Sequence, residues 1–177
     1  MADALTFNTA PGAAVARKML IAFLNVAATP DTPEWAPIGK RVEDSSQEYD
    51  WGEETKTDIL GETYTTYKTP VITQTFDPCE LDASDKAQVK IWNQAIKDQD
   101  TGALASNDML IVHMYAGTAS TAMFAERYSA CAVKPSGLGG SGNVGMPIDV
   151  TYGGTRTTGT AAISGGTVTF TPAGAGA

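Results

Sequence analysis

The stretch Glu48-Tyr49-Asp50-Trp51-Gly52-Glu53-Glu54-Thr55-Lys56-Thr57, continued by Thr63-Tyr64-Thr65-Thr66-Tyr67 and Val71-Ile72-Thr73-Gln74-Thr75-Phe76, decides how this chain is read. It is the middle of a run from Trp35 to Asp77 that reads as extended throughout and carries most of the charge. Between Glu43 and Glu62 stand eight acids (Glu43, Asp44, Glu48, Asp50, Glu53, Glu54, Asp58, Glu62) against one base, Lys56. That window is −7 of a chain total of −8, and the other 157 residues nearly balance, with twelve acids and eleven bases. Successive side chains of a strand point to opposite faces, which sets Glu48, Asp50 and Glu54 on one face and Tyr49 and Trp51 on the other. A disordered acidic linker lacks aromatic and β-branched residues, whereas this run is rich in both. The expectation is two or three ordered strands with an acidic face, the bland alternative being a solvated hairpin that only aids solubility.

Outward from that run, 177 residues suffice for one domain with its own core, without disulfides or metal. Charged residues make up only 18%, below the usual quarter, so the polar surface falls to Thr, Ser, Gly and Asn, a composition that favours β structure. The acidic balance excludes a protein that grips nucleic acid through phosphate contacts, though not one that nucleic acid must pass without sticking. No run of eighteen apolar residues is present, and the opening residues carry neither a basic nor an apolar signal region; the expectation is synthesis in a cytoplasm, with no membrane anchor. Cys79 and Cys131 match no metal spacing and are expected as free, buried thiols.

In chain order, residues 1–16 look like an N-terminal arm, residues 17–171 like a single β domain, and residues 172–177 like a loose tail. Met19 to Val26 and Met109 to Tyr115 are apolar on both faces and hence expected to be buried on both. Thr29-Pro30-Asp31-Thr32-Pro33 reads as a turn. Ala122 to Val133 reads as a long strand interrupted by Glu126 and Arg127. Met146 to Tyr152 alternates, Gly153-Gly154 turns, and weaker strands follow near Thr155 to Ile163 and Thr167 to Thr171. One helix is expected over residues 84–98, capped by Asp82 or Ser84, with Val89, Trp92 and Ile96 as its core stripe.

Most chemical readings fail on context. Gly137, Gly139 and Gly142 spell the dinucleotide fingerprint, but a strand rather than a helix follows. Asp98, Asp100 and Gly102 resemble the start of a calcium loop whose twelfth position is Met109, and a helix cap explains them better. His113 is the single histidine, in an apolar strand, and is expected in the core. No acid pair is held in an identifiable apolar pocket. Neither catalytic residues nor a cofactor or metal site is expected.

The order of elements, Trp35-Ala36-Pro37-Ile38-Gly39, the acidic hairpin region, Thr69-Pro70-Val71-Ile72, the lone helix and the Gly/Thr-rich closing strands, resembles the major tail tube proteins of long-tailed bacteriophages over residues 17–163, as a pattern of elements more than as exact motifs. Contractile-tail and secretion-system tube proteins look similar. The resemblance implies a mainly β fold, a β-sandwich or split barrel with one flanking α-helix, whose inner sheet is completed by oligomerisation. It further implies six copies closing into a ring, rings stacking into a tube, and viral DNA passing down the bore during infection without specific binding. Tail terminator, tape-measure and distal tail proteins would be partners, and the tail of the virion, assembled in the bacterial host cytoplasm, the location. On that reading Glu48, Asp50 and Glu54, with Asp58 and Glu62 as further candidates, face the lumen. The competing class is an adhesin or pilin-like β-sandwich binding module, which should show a signal or anchoring segment.

Overall fold

The computed structural model describes residues 5–28 and 32–174, so the first three residues of the expected turn at 29–33 lie outside the described residues. After a 3₁₀ turn at Arg17–Met19, eleven strands follow in the order β1 (Leu20–Asn25), β2 (Trp35–Ile38), β3 (Val42–Asp50), β4 (Glu54–Thr57), β5 (Thr63–Thr66), β6 (Val71–Cys79), β7 (Asn107–Thr118), β8 (Ala122–Pro135), β9 (Ile148–Tyr152), β10 (Arg156–Ser164) and β11 (Thr167–Pro172). The helices α1 (Lys86–Trp92) and α2 (Thr101–Leu104) fall between β6 and β7. The antiparallel sheet runs β2-β1-β7-β8-β9-β6-β3, with β10 and β11 branching from β8, and β4 pairs with β5 alone. This is a split barrel with flanking helix.

The split is made by β8. Its first half, Met123 to Tyr128, pairs with β10, while its second half, Ala132 to Pro135, pairs with β9. Between them the chain that joins β9 to β10 comes against the β8 backbone, with Ala130 N–H on Gly153 O at 3.3 Å. A Cβ at Gly153 or Gly154 would lie 2.7 Å from the Ala130 backbone, so glycine is required there for the two partners to diverge.

Two apolar layers fill the two faces of β1, β7 and β8. One holds Phe23, Trp35, Leu110, Val112, Met123, Ala125, Ala161 and Val168 under the β10–β11 ribbon. The other, larger layer includes Leu24, Ile38, Ile72, Phe76, Ile91, Met109, Ile111, Val133, Ile148 and Val150. The doubly apolar reading of the first strand and of residues 109–115 is met by this arrangement. The two charges that interrupt β8 go to opposite faces: Arg127 makes a bidentate pair with Asp108 (2.9 and 2.7 Å) and lies over the Trp35 ring, while Glu126 is buried among His113, Tyr128 and Arg156. Cys79 and Cys131 are free and fully buried; burial pushes their thiols up, to about 11 and about 12.

The helix corrects the sequence reading. Its cap is Asp85, whose carboxylate accepts from Ala87 and Gln88 N–H at 3.0 and 3.1 Å, and not Asp82 or Ser84. The buried face is Ala87, Gln88 and Ile91, with Trp92 packed partly against the core, whereas Val89 and Ile96 of the expected Val89-Trp92-Ile96 stripe are exposed at 40% and 37%. The cause is Gln88. Its side chain enters the core because it accepts from Asp82 N–H at 2.8 Å and donates to Glu80 O at 3.1 Å, satisfying backbone groups that an apolar residue would leave bare. A π turn at Asn93–Lys97 then adds a residue to the winding and rotates Ile96 further outward. Beyond it, Gln99 has φ +50° and Asp100 caps α2 through Ala103 N–H at 2.9 Å, so the expected cap residues begin a second, short helix.

Candidate functional site: an acidic sheet face and its hairpin arm

The extended run forms one long hairpin. Strands β3 and β6 pair from Val42↔Cys79 to Asp50↔Val71, and beyond them β4 and β5 continue from Glu54↔Thr66 to Thr57↔Thr63. Lys68 N–H on Trp51 O at 2.8 Å bridges the two parts. Since residues directly opposite share a face, Ser45, Gln47 and Tyr49 lie with Phe76, Gln74 and Ile72 on the core side, and Asp44, Ser46, Glu48 and Asp50 with Asp77, Thr75, Thr73 and Val71 on the outer side.

The core side of β3 carries no large aliphatic side chain between Val42 and Tyr49, yet the strand is anchored. Gln74, buried, donates to Ser45 Oγ at 2.8 Å and accepts from Gln47 at 3.2 Å and from the Tyr152 hydroxyl at 2.5 Å. Such a fully paired buried ladder fixes register, because a slip of one residue would strand each of these groups. Register in turn fixes which residues face out.

The outer side extends over β9, where Asp149 stands opposite Thr75 and Thr151 opposite Thr73, and reaches β8 at Lys134 and Ala132. It is a threonine-lined surface bearing Asp44, Glu48, Asp50, Asp77 and Asp149, with Lys134 at its far border. Asp149 accepts weakly from Thr75 Oγ1 at 3.4 Å, Asp50 accepts from Gly52 N–H at 2.9 Å, and among the described residues none of these five acids forms an ion pair. The surface therefore presents unneutralised charge on a flat, hydrogen-bonded sheet.

Three of the candidate acids of the sequence reading sit elsewhere. Gly52, with φ +52°, bends the chain after β3, so alternation is not carried from Asp50 to Glu54. Glu54 belongs to the arm and pairs with Lys56 at 3.1 Å. Asp58 spends one oxygen on the tip turn, accepting from Leu60 and Glu62 N–H at 2.8 and 2.9 Å, and Glu62 is exposed beside it. Conversely, the alternation read from Glu48, Asp50 and Glu54 does not select Asp44, Asp77 or Asp149 for this face. The two-residue step back from Glu48 through Ser46 reaches Asp44, and the same step from Thr73 reaches Asp77, so that signal was present; Asp149 depends on which strand pairs with β6.

No family model and no curated protein matches this sequence. Solved structures similar in shape include the following. A chain of the sheath-tube complex of an extracellular contractile injection system (PVC, extended state) aligns with TM-score 0.47 and 11% identity over 84% of this chain and 93% of that one. A chain of the sheath/tube terminator of that system aligns with TM-score 0.46 and 12% identity over 84% and 99%. The cap that terminates the tube of the anti-feeding prophage aligns with TM-score 0.43 and 14% identity over 86% and 95%.

The rest of the surface offers little chemistry. Among the described residues no group of three or more His, Cys, Asp or Glu could hold a metal ion, and no helix is long and apolar enough to cross a membrane. His113 is buried, its Nε2 2.9 Å from Glu126 and its Nδ1 2.9 Å from the Tyr115 hydroxyl. Residues 5–16 are almost entirely exposed; they attach through the Phe7↔Ala116 bridge, through Thr6 O accepting from Gly117 N–H at 3.0 Å, through Asn8 to the backbone of Met114, Tyr115 and Gly117, and through the Phe7 ring set edge-on to Tyr115. The glycine fingerprint at 137–142 lies in an irregular loop closed by the Gly139↔Gly145 bridge, with no helix after it.

Proposed function

We propose that this chain is a structural subunit that closes into hexameric rings, which stack into a tail tube whose bore is the acidic face of β3, β6 and β9. Residues 17–171 form the tube domain, residues 1–16 an arm and residues 172–177 a tail. The observation that carries the reading is the pairing of that acidic face with an unclosed sheet. Among the described residues no strand pairs with the outer edge of β3, which ends the sheet, and a long edge strand is a template for another chain. Joining such edges around an axis gives a closed inner wall, and the face exposed toward the axis is then Asp44, Glu48, Asp50, Asp77 and Asp149.

A negative wall suits a conduit for DNA. Like charges gathered round a ring oppose assembly by mutual repulsion, softened because the bore is wet and salt screens over about 10 Å. The same charges repel phosphates, so DNA slides without sticking. The resemblance of the element order to phage tail tube proteins supports the reading and implies tail terminator, tape-measure and distal tail proteins as partners, within a virion tail assembled in the host cytoplasm.

The test replaces Asp44, Glu48 and Asp77 by Lys together. The variant is expected to form tubes in electron micrographs, more readily than wild type at low salt, and to retain DNA that a salt wash removes. Persistence of a monomer at high concentration in the wild type, with no rings or tubes, overturns the proposal.

A further inference from the structure

Where β1 ends beside α1, an amine, a carboxamide and a carboxylate meet. Asn25 is only 5% exposed, and both polar atoms of its side chain are engaged. Its Oδ1 accepts from Ala27 N–H at 3.0 Å and from Glu34 N–H at 3.1 Å, while its Nδ2 donates to Asp108 Oδ2 at 3.2 Å. The last contact follows from register: Leu24 stands opposite Met109, so the next antiparallel pair is Asn25 and Asp108, with side chains on one face. Lys90, in the last turn of α1, reaches the same residue and donates to Asn25 O at 2.6 Å.

Each member of the cluster is held in a chemically suggestive state. The close partner of the half-buried Lys90 is a neutral carbonyl. Burial pulls its ammonium down, opposed by the charge of Asp108, and so favours the uncharged, nucleophilic amine. Two backbone N–H groups on the Asn25 Oδ1 polarise Cγ and are placed to hold the negative charge that an attacking nucleophile would drive onto that oxygen. The carboxylate on Nδ2 is placed to carry a proton. A groove of about 520 Å³, lined by Val26, Glu34, Lys86, Val89 and Lys90 among others, opens beside the amine and leaves room for a small product to depart.

We propose that Lys90 and Asn25 join in an intramolecular isopeptide bond, with Asp108 as the proton-transferring group. The neutral Lys90 amine attacks Asn25 Cγ, and the Nζ–Cγ bond forms as the carbonyl electron pair moves onto Oδ1. Asp108 takes one proton from Nζ and delivers it to Nδ2. The Cγ–Nδ2 bond then breaks, the carbonyl re-forms and ammonia leaves. One amide is made and one is lost, so no oxidant or further reactant is needed. The bond closes residues 25–90 into a covalent loop that contains β2 to β6, and with them the whole acidic hairpin, and it pins α1 to the sheet. It forms whether or not the chain assembles.

Intact-mass spectrometry of the purified full chain, aged until its mass is constant, tests the bond. The expected mass is that of the sequence less one ammonia, and a protease digest should yield a branched peptide in which Lys90 is joined to Asn25. Lys90→Arg keeps the charge and a donor for Asn25 O but cannot form the link. It should restore the full sequence mass and lower the melting temperature by about 10 °C, the effect of opening a loop of this length. Asp108→Asn, in chains with the wild-type circular dichroism spectrum, should slow link formation tenfold or more, and a wild-type rate would overturn the role given to Asp108. Separate, unlinked Lys90 and Asn25 peptides from folded, aged wild-type protein overturn the proposal. So does an ammonia loss that maps to a cyclised Asn25 without Lys90.

Discussion

Two regions of the molecule are built on opposite rules. Strands β1, β7 and β8 are buried on both faces, between the layer that contains Phe76 and Ile91 and the layer that contains Leu110 and Met123. Strands β3 and β6, with the β4–β5 arm, bury at most one face, and the arm buries none. The first region is held by side-chain burial, which stabilises each large apolar residue by about 1.5–3 kcal/mol. The second is held by backbone pairing and a polar ladder around Gln74, leaving its outer face free to carry charge. A fold divided in this way can be stable as a subunit while keeping a surface whose chemistry is set by assembly alone.

Core truncation should separate the regions most widely. Phe76→Ala removes a side chain that is 1% exposed at the foot of the hairpin and is expected to cost about 3–5 kcal/mol, whereas Ile59→Ala at the tip should stay within about 0.5 kcal/mol in denaturant titrations of the free subunit. Equal losses would break the division.

Part of the acid limb of stability should come from the buried region. Burial pushes the Glu126 carboxyl up, but hydrogen bonds from His113 and Arg156 outweigh it and hold the group at about 2, below its ordinary value. A carboxylate depressed in the folded state stabilises above its unfolded value near 4.3 and loses that contribution as pH falls toward the folded value. Stability should therefore decline from about pH 5 to about pH 2, by an amount on the order of 2–3 kcal/mol for this group, and Glu126→Gln should flatten that limb.

Within the helix the expected order is Ile91→Ala above Trp92→Ala, although Trp is the larger residue, since Ile91 is fully buried and Trp92 only partly so. Ile91→Ala should cost about 2–5 kcal/mol. A greater loss for Trp92 would restore the Val89-Trp92-Ile96 stripe. The smallest difference is dynamic: amides of β4 and β5 should exchange with solvent before those of β3 and β6 in the free subunit, and become protected on assembly.

Legibility in the sequence follows the same division. Where burial decides, as in Leu20 to Asn25 and Met109 to Tyr115, unbroken apolar runs specify the element and its two buried faces. On β3, period-two alternation put Glu48 and Asp50 on one side. The reading failed where a local device changed the phase: Gly52 before Glu54, the π turn before Ile96, and the core-bound Gln88 whose value lies in backbone groups remote in sequence. The branching of β8 and the arrival of Asp149 beside Thr75 depend on long-range pairing, which no local pattern encodes.

The central claim is that the outer face of β3, β6 and β9 lines a bore. A cryo-electron-microscopy reconstruction of the assembled protein tests it directly. The account predicts the side chains of Asp44, Glu48 and Asp77 pointing toward the particle axis; their presence on the outer surface, or in contact between subunits, would contradict it.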